Sequence, residues 1–338
     1  MKDFYIINKV FINNFLSKEH LIMAPKNKIA LGIDIGGTKI SMACVIDGEI
    51  TGSILSRKTP CDSNEILNYV LEGIETLNYD FNINVIGIAT AGAVNKENTR
   101  VVGSTGNLPT GYSDIDFKEE IENKFKIKTL VENDANAAAY AEFKAGAAIG
   151  HMNTITVTLG TGVGGGIIVD GKLVRGKMGA GAEVGHMPLS WEKKRKCTCG
   201  DWDCWEAYAS GTGYRATARE MAAKIPLELR TGILTDKDIT QLTTHDIIAG
   251  LNQGDEFCRQ VHDAWIEFVL MGLISLTNIF DPDSIVLSGG MAKFVDFEDL
   301  NKRLDARCHI AKTKIIHAKA ENNAGILGGA MLALEKFC

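Results

Sequence analysis

The 338-residue sequence has no long uninterrupted apolar run. Its first 23 residues look superficially apolar, but Asn8-Lys9, Asn13-Asn14 and Lys18-Glu19-His20 break them repeatedly. A signal-peptide core needs roughly 7–15 apolar residues in a row, and a membrane-spanning helix about 20. Residues 1–27 therefore read as a loosely attached N-terminal extension, with Met23 a candidate start, and the expected setting is the cytosol with no membrane partner. Excess positive charge is missing too. Against 42 Asp+Glu stand 36 Lys+Arg, a net charge of −6, which argues against nucleic acid as a partner through bulk charge. Disulfides are rare in a reducing cytosol. Cys44, Cys61, Cys258, Cys308 and Cys338 are accordingly read as buried small hydrophobes or bystanders.

What is present is an ordinary globular balance, 45% apolar and 23% charged, with length for about two domains of roughly 100–200 residues each. Glycine is the skewed residue, 35 copies gathered in short runs. Those runs carry an internal echo. Leu31-Gly-Ile-Asp-Ile-Gly-Gly-Thr-Lys39 leads into a second apolar strand and Asp47-Gly48, and the same design returns 123 positions later. Gly37-Thr38 falls on Gly160-Thr161, Val45-Ile46 on Ile168-Val169, and Asp47-Gly48 on Asp170-Gly171. Each copy reads as strand, glycine turn, strand and Asp-Gly hairpin, so two related domains should face each other across a cleft. Strands are expected from Lys28, over Val85–Ala89, Thr129–Glu132 and Ser284–Ser288. Helices are expected after an Asp116/Glu119 capping box, over Ala135–Ala145, Trp205–Ala223 and Asp246–Ile279, and from Asn323 onward. The alternation implies an α/β architecture.

Three motifs carry chemistry. In Asp34-Ile-Gly-Gly-Thr-Lys39, glycines at a strand end let backbone N–H groups approach a phosphate, while Thr38 and Lys39 add a hydroxyl and a cation. Asp34 could help hold Mg²⁺, since a hard cation selects oxygen ligands. Such a turn in isolation reads as a tight hairpin. Paired with Leu159-Gly-Thr-Gly-Val-Gly-Gly-Gly166 it reads as a two-sided phosphate clamp of Gly36, Gly37, Thr38, Lys39, Gly160, Thr161, Gly162 and Gly164. Gly289-Gly290, at another strand end, suits the close approach of a nucleotide base or ribose. The second motif is Val131-Glu-Asn-Asp-Ala-Asn136, where Asp134 meets a helix N-terminus. The segment taken alone favours an N-cap role for Asp134; if the helix mouth opens on the cleft, the same carboxylate can act as general base. The third is Glu183-Val-Gly-His186 followed by Cys197, Cys199 and Cys204, a Cys₃His set within 19 residues that suits structural zinc. The Lys193-Lys-Arg-Lys196 run before it reads as a solvated loop.

With these pieces in order, the chain resembles the ROK family of sugar kinases from about Lys28 to the C-terminus. DxGGTK, END, LGTGVGGG, ExGH, CxCGxxxC and ExYASG occur in family order. The resemblance implies an actin-like ATPase (ribonuclease H-like) fold with ATP in the cleft between two domains. On that reading residues 28–134 with a C-terminal helix 322–338 form the small domain, and residues 135–321, with a zinc loop at 186–204, the large one. It implies Asp134 as catalytic base, with Gly92, Asn107, Asn133, Glu183, His186 and Glu206 around the sugar. Zinc would be held by His186, Cys197, Cys199 and Cys204, and a homodimer is the implied assembly. The implied reaction moves phosphate from ATP to the 6-hydroxyl of a hexose, glucose first. N-acetylmannosamine or N-acetylglucosamine is the alternative; Cys204-Trp-Glu-Ala-Tyr-Ala-Ser-Gly211 resembles glucokinases, and its Glu206–Gly211 part is also similar to N-acetylmannosamine kinases. Ala91-Gly-Ala-Val-Asn95 and Asn107-Leu-Pro-Thr-Gly-Tyr112 depart from the family's usual segments on the sugar side. ROK repressors share the sugar domain but add a winged helix-turn-helix, for which the 27 residues before Lys28 are too few.

Overall fold

The computed structural model describes residues 28–103, 108–236 and 238–338. The extension 1–27 and Asn107 lie outside the described residues. The chain opens with a meander, β1 (Ala30–Ile35), β2 (Lys39–Ile46) and β3 (Glu49–Lys58). Helix α1 (Ser63–Phe81), capped by the Asp62 carboxylate, leads to β4 (Val85–Thr90), which lies parallel to β1. A small hairpin, β5 (Ala93–Val94) and β6 (Val101–Gly103), precedes α2 (Phe117–Phe125) and β7 (Lys128–Asn133). The sheet order is β3-β2-β1-β4-β7. Helix α3 (Asp134–Ala145) follows β7 directly.

A second meander then forms from β8 (Thr154–Leu159), β9 (Val163–Val169) and β10 (Lys172–Leu173). After a long loop come α4 (Glu206–Ala209), α5 (Gly211–Ala222), α6 (Ile233–Asp236), α7 (Thr244–Asn252) and α8 (Glu256–Phe280). β11 (Ser284–Ser288), α9 (Phe297–Arg307), β12 (Lys314–His317) and α10 (Ala324–Phe337) complete the chain. This sheet runs β10-β9-β8-β11-β12, the same order and the same strand senses as the first. The echo extends to the backbone. Both Asp-Gly turns hold positive φ at both residues, 51° and 83° at Asp47-Gly48 and 49° and 73° at Asp170-Gly171. Type I′ hairpins require this, and Asp-Gly accepts it readily.

Several local expectations are corrected. β1 begins at Ala30 rather than Lys28. Asp116 accepts from the Glu119 N–H, but the reciprocal half of the capping box is not formed. The stretch 205–223 breaks at Ser210, whose hydroxyl caps α5. The stretch 246–279 breaks after Asn252, because Gly254 adopts φ 78° and the Asp255 carboxylate caps α8 anew. By length and composition α8 could cross a membrane. Here it buries Val261, Trp265, Val269, Leu270 and Leu273 in the core of the second sheet, so its apolarity is accounted for by packing.

Helices α3 and α10 fill the space between the sheets, in a cluster that joins Ala30, Val45 and Leu130 to Tyr140, Ile168, Ile326 and Ala330. Their approach is backbone to backbone. A Cβ at Gly328 of α10 would stand 1.8 Å from the Ala137 carbonyl oxygen of α3, and one at Gly87 of β4 would stand 1.8 Å from the Gly329 carbonyl oxygen. Only glycine permits this spacing, because the interior is close-packed and backbone cannot swing aside as a side chain can. We predict that Gly328→Ala lowers the unfolding free energy by about 1–3 kcal/mol, the usual cost of overpacking. Gly290→Ala, with nothing within 4 Å of its Cβ position, should leave urea unfolding unchanged.

Candidate active site

The two glycine turns sit at the ends of β1 and β8. In the first, Gly36 N–H donates to Lys39 O at 3.0 Å, and Thr59 braces the turn by donating its hydroxyl to Gly36 O at 2.6 Å. Gly37, Thr38 and Lys39 remain exposed. In the second, Gly160 N–H donates to Gly162 O, while Gly211 N–H and the Thr212 hydroxyl fix the carbonyls of Gly160 and Thr161. Gly164 stands within β9, where a Cβ would come 3.3 Å from the Ala135 side chain at the start of α3. Gly289, at φ 88°, and Gly290 follow β11 and are exposed, beside the Leu159 carbonyl at the root of the second turn.

Asp134 is not the cap of α3. Asn133 is: its side-chain oxygen accepts from Ala135 N–H at 3.0 Å and Asn136 N–H at 3.1 Å. The short Asn side chain closes the turn, which leaves Asp134 as the first helical residue. Asn133 Nδ2 donates to Gly92 O at 3.0 Å and to Asp134 Oδ1 at 3.2 Å, and Ala135 N–H donates to the same Oδ1 at 2.8 Å. Burial pushes the Asp134 carboxyl up to about 6, opposed by the Ala135 N–H and reinforced by the charge of Glu183. Asp34 is pushed up further, to about 7, by burial and then by Asp134 itself, with Lys39 pulling the other way. The two carboxylates thus share one field between the turn of β1 and the start of α3. Like charges held this way favour a proton or a cation between them.

Glu183 and His186 lie on the loop that leaves the second meander, in a tight turn of which His186 is half-buried. The imidazole faces two ways. Its Nδ1 is 3.7 Å from Cys197 Sγ and its Nε2 is 3.9 Å from Glu183 Oε2. Cys199 Sγ and Cys204 Sγ are 3.7 Å apart, and the four ligand atoms all fall within 4.8 Å of one another. Sulfurs at about 2.3 Å on the corners of a tetrahedral zinc would stand about 3.8 Å apart, so the residues fit the ion. Burial pushes the Cys204 thiol up to about 12, helped by its hydrogen bonds to Cys199 and Cys197; a divalent cation would supply the compensating charge. Trp205, fully buried, anchors this loop by donating its N–H to Met187 O and its ring Nε1–H to Phe268 O at 2.8 Å. Glu206 ties the loop to the second glycine turn. Its Oε2 accepts from Val163 N–H at 2.9 Å and its Oε1 from the Thr198 hydroxyl at 2.8 Å.

The basic run is solvated only in part. Arg195 is 8% exposed, its guanidinium stacked 4.2 Å over the Tyr208 ring and paired with Glu220. Planar charge and aromatic face attract, so this cation supports the loop from beneath. Glu132 lies inside the Glu-Asn-Asp segment, but the sequence reading gives it no role. It is 2% exposed two positions before Asp134, and the available signal was a charge directly after the apolar Leu130-Val131 pair of the strand.

Two sheets of repeated topology joined by α3 and α10 define the actin-like ATPase fold with two related domains. Within that class, the chain belongs to the ROK family, whose model matches residues 30–336. It is 33% identical over 320 residues to the glucokinase of Streptomyces coelicolor, covering 91% of this chain and 98% of that one. A ROK family glucokinase from Streptomyces griseus, solved in complex with glucose and AMPPNP, aligns with a TM-score of 0.74 at 30% identity, over 91% of this chain and 99% of that one. The xylose repressor of Bacillus subtilis is 31% identical over 257 residues, 75% of this chain and 61% of the repressor.

The raised carboxyls make a stability prediction with a definite sign. Each folded-state value lies above the ordinary carboxylate range, so the stabilising protonated form is present at low pH and is lost as pH rises through about 6 for Asp134 and about 7 for Asp34. At pH 8 both charges burden the fold. Asp134→Asn should therefore raise the melting temperature at pH 8 by roughly 1–3 °C, the trade common at functional sites. The gain should vanish at pH 4.

Proposed function

We propose that this protein is an ATP-dependent sugar kinase that phosphorylates the 6-hydroxyl of a hexose, glucose in the first instance, in the cytosol and as a homodimer. The observation that carries this reading is the setting of Asp134. One carboxylate interacts electrostatically with Asp34 of the first glycine turn and with Glu183 of the loop that bears His186. In this reading it links a phosphate-binding side to a side rich in polyol partners. Phosphoryl transfer needs chiefly alignment and charge neutralisation. Asp134 Oδ1 is already held by Asn133 and Ala135, which fixes the carboxylate as it takes the proton from the attacking hydroxyl. The sugar oxygen bonds to the γ-phosphorus, the bond from that phosphorus to the β–γ bridging oxygen breaks, and ADP leaves. The glycine turns with Thr38 and Lys39 cradle the phosphates, and Asp34 is the residue to hold the Mg²⁺ that accompanies ATP.

Zinc at His186, Cys197, Cys199 and Cys204 has a structural role in this reading. With Nδ1 toward the thiols, Nε2 and Glu183 are free to meet sugar hydroxyls, so the metal orients a substrate-binding ring. Glu206 joins them if the Thr198 hydroxyl gives way to a sugar hydroxyl. A pocket that hydrogen-bonds each hydroxyl discriminates sharply, since a wrong sugar leaves buried polar groups unpaired. The match to a xylose repressor keeps a second reading alive, a sugar-responsive regulator; specific, salt-sensitive retardation of promoter DNA in a gel-shift would favour it.

A coupled assay across hexoses and N-acetylhexosamines tests the proposal, with glucose expected to give the highest kcat/KM. ATP hydrolysis at the full rate with no sugar present would refute it. Asp134→Asn should reduce kcat by about 10²–10⁴-fold, the range of a lost acid–base group, and leave sugar binding by calorimetry nearly intact. On the wild type, the acid limb of kcat/KM, which reports the free enzyme, should fall as pH drops through about 6, where Asp134 takes up its proton. Removing zinc with a chelator should raise KM for sugar more than KM for ATP.

A further inference from the structure

Glu132 is the penultimate residue of β7, directly before the Asn133–Asp134 pair, and is 2% exposed. A carboxylate so far from water must be met by donors. Four reach it. Arg175 Nε, at 2.6 Å, and Asn98 Nδ2, at 3.3 Å, donate to Oε2. The Asn133 backbone N–H and Asn136 Nδ2, each at 3.0 Å, donate to Oε1. The latter two belong to the turn into α3 and flank Asp134 on either side. Arg175 comes from the other half of the molecule, from the segment that follows β10. Its own carbonyl accepts from Gly181 N–H at 2.9 Å, which closes the root of the loop leading to Glu183 and His186.

We propose that the Glu132–Arg175 pair is a positioning device that holds the turn aiming Asp134 in register with the loop carrying Glu183 and His186. This rests on the kinase reading above. Neither side chain is placed against a reacting atom; each acts through backbone that it holds. The pair spans the two halves of the molecule, so base and sugar contacts share one reference point. Glu132 is the buried member and Arg175 is 32% exposed, so losing the arginine contact leaves a buried carboxylate short of its cation, and displacement of a reacting group by about 1 Å is enough to slow chemistry on the order of 10²-fold.

The test compares Glu132→Gln, Arg175→Lys and the double variant at a temperature where circular dichroism finds all of them folded. Each single change should lower kcat roughly 10–100-fold while KM for ATP stays within about twofold. The double variant should be no slower than the worse single one, since both remove one shared contact. Hydrogen exchange of the peptide spanning 131–137 should quicken in each variant, with the strands of the second sheet unchanged. That readout needs no substrate. If the wild type phosphorylates no sugar, the kinase reading fails, and unchanged exchange in this peptide would separately overturn the positioning role. A kcat within about twofold of wild type in both single variants would overturn it too. Should Glu132→Gln fail to fold, Arg175→Lys carries both measurements.

Discussion

The close approach of α10 to β4 and α3 is the constraint on which everything else in this molecule depends. Two sheets can share one pair of helices only if those helices lie flat against them, and the contacts at Gly87 and Gly328 leave no room for a side chain. Once α3 and α10 are seated, the ends of β1, β7 and β8 face a common space. Asp34 at the end of β1 and Asp134 at the start of α3 then feel one another's charge, and Ala135 lies against Gly164 of β9, without any long loop having to place them. Precision at the site is borrowed from the middle layer, because a rigid helix start positions a carboxylate better than a surface loop can.

Electrostatics sharpens this arrangement rather than creating it. Asp34 and Asp134 are driven up by burial first and by neighbouring charge second, so the fold holds two acids where water would have welcomed both as anions. The Cys₃His side follows another rule. There Cys197, Cys199, Cys204 and His186 converge through tight turns, Trp205 roots them in the core, and Arg195 on Tyr208 props them from below. One region keeps charge in tension; the other keeps geometry in place.

Much of this was legible in the sequence, and the reason is physical. The echo of Asp47-Gly48 at Asp170-Gly171 is readable because positive φ at both positions restricts the choice of residue. The Cys₃His set is readable because a metal site needs its ligands close together. The breaks at Ser210 and Gly254 were hidden because both flanks carry good helical stripes, and only a cap or a turn separates them. Arg195 was hidden because a basic run looks alike in solution and over an aromatic ring. The Glu132–Arg175 contact joins residues 43 positions apart, and no periodicity announces a partner at that range. Asn133 and Asp134 exchanged the cap role because both residue types suit it equally well from sequence.

The neighbouring acids at the mouth of α3 have a thermodynamic corollary. A carboxyl poised near neutrality holds part of a proton at rest, and any cation entering between the two must expel it. Occupancy would therefore register in a calorimeter as heat that varies with the ionisation enthalpy of the buffer. On the kinase reading, the apparent affinity for a metal–nucleotide would climb as the medium turns alkaline. A proton shared by Asp34 and Asp134 would, on that same reading, stand in for the cation that accompanies the nucleotide.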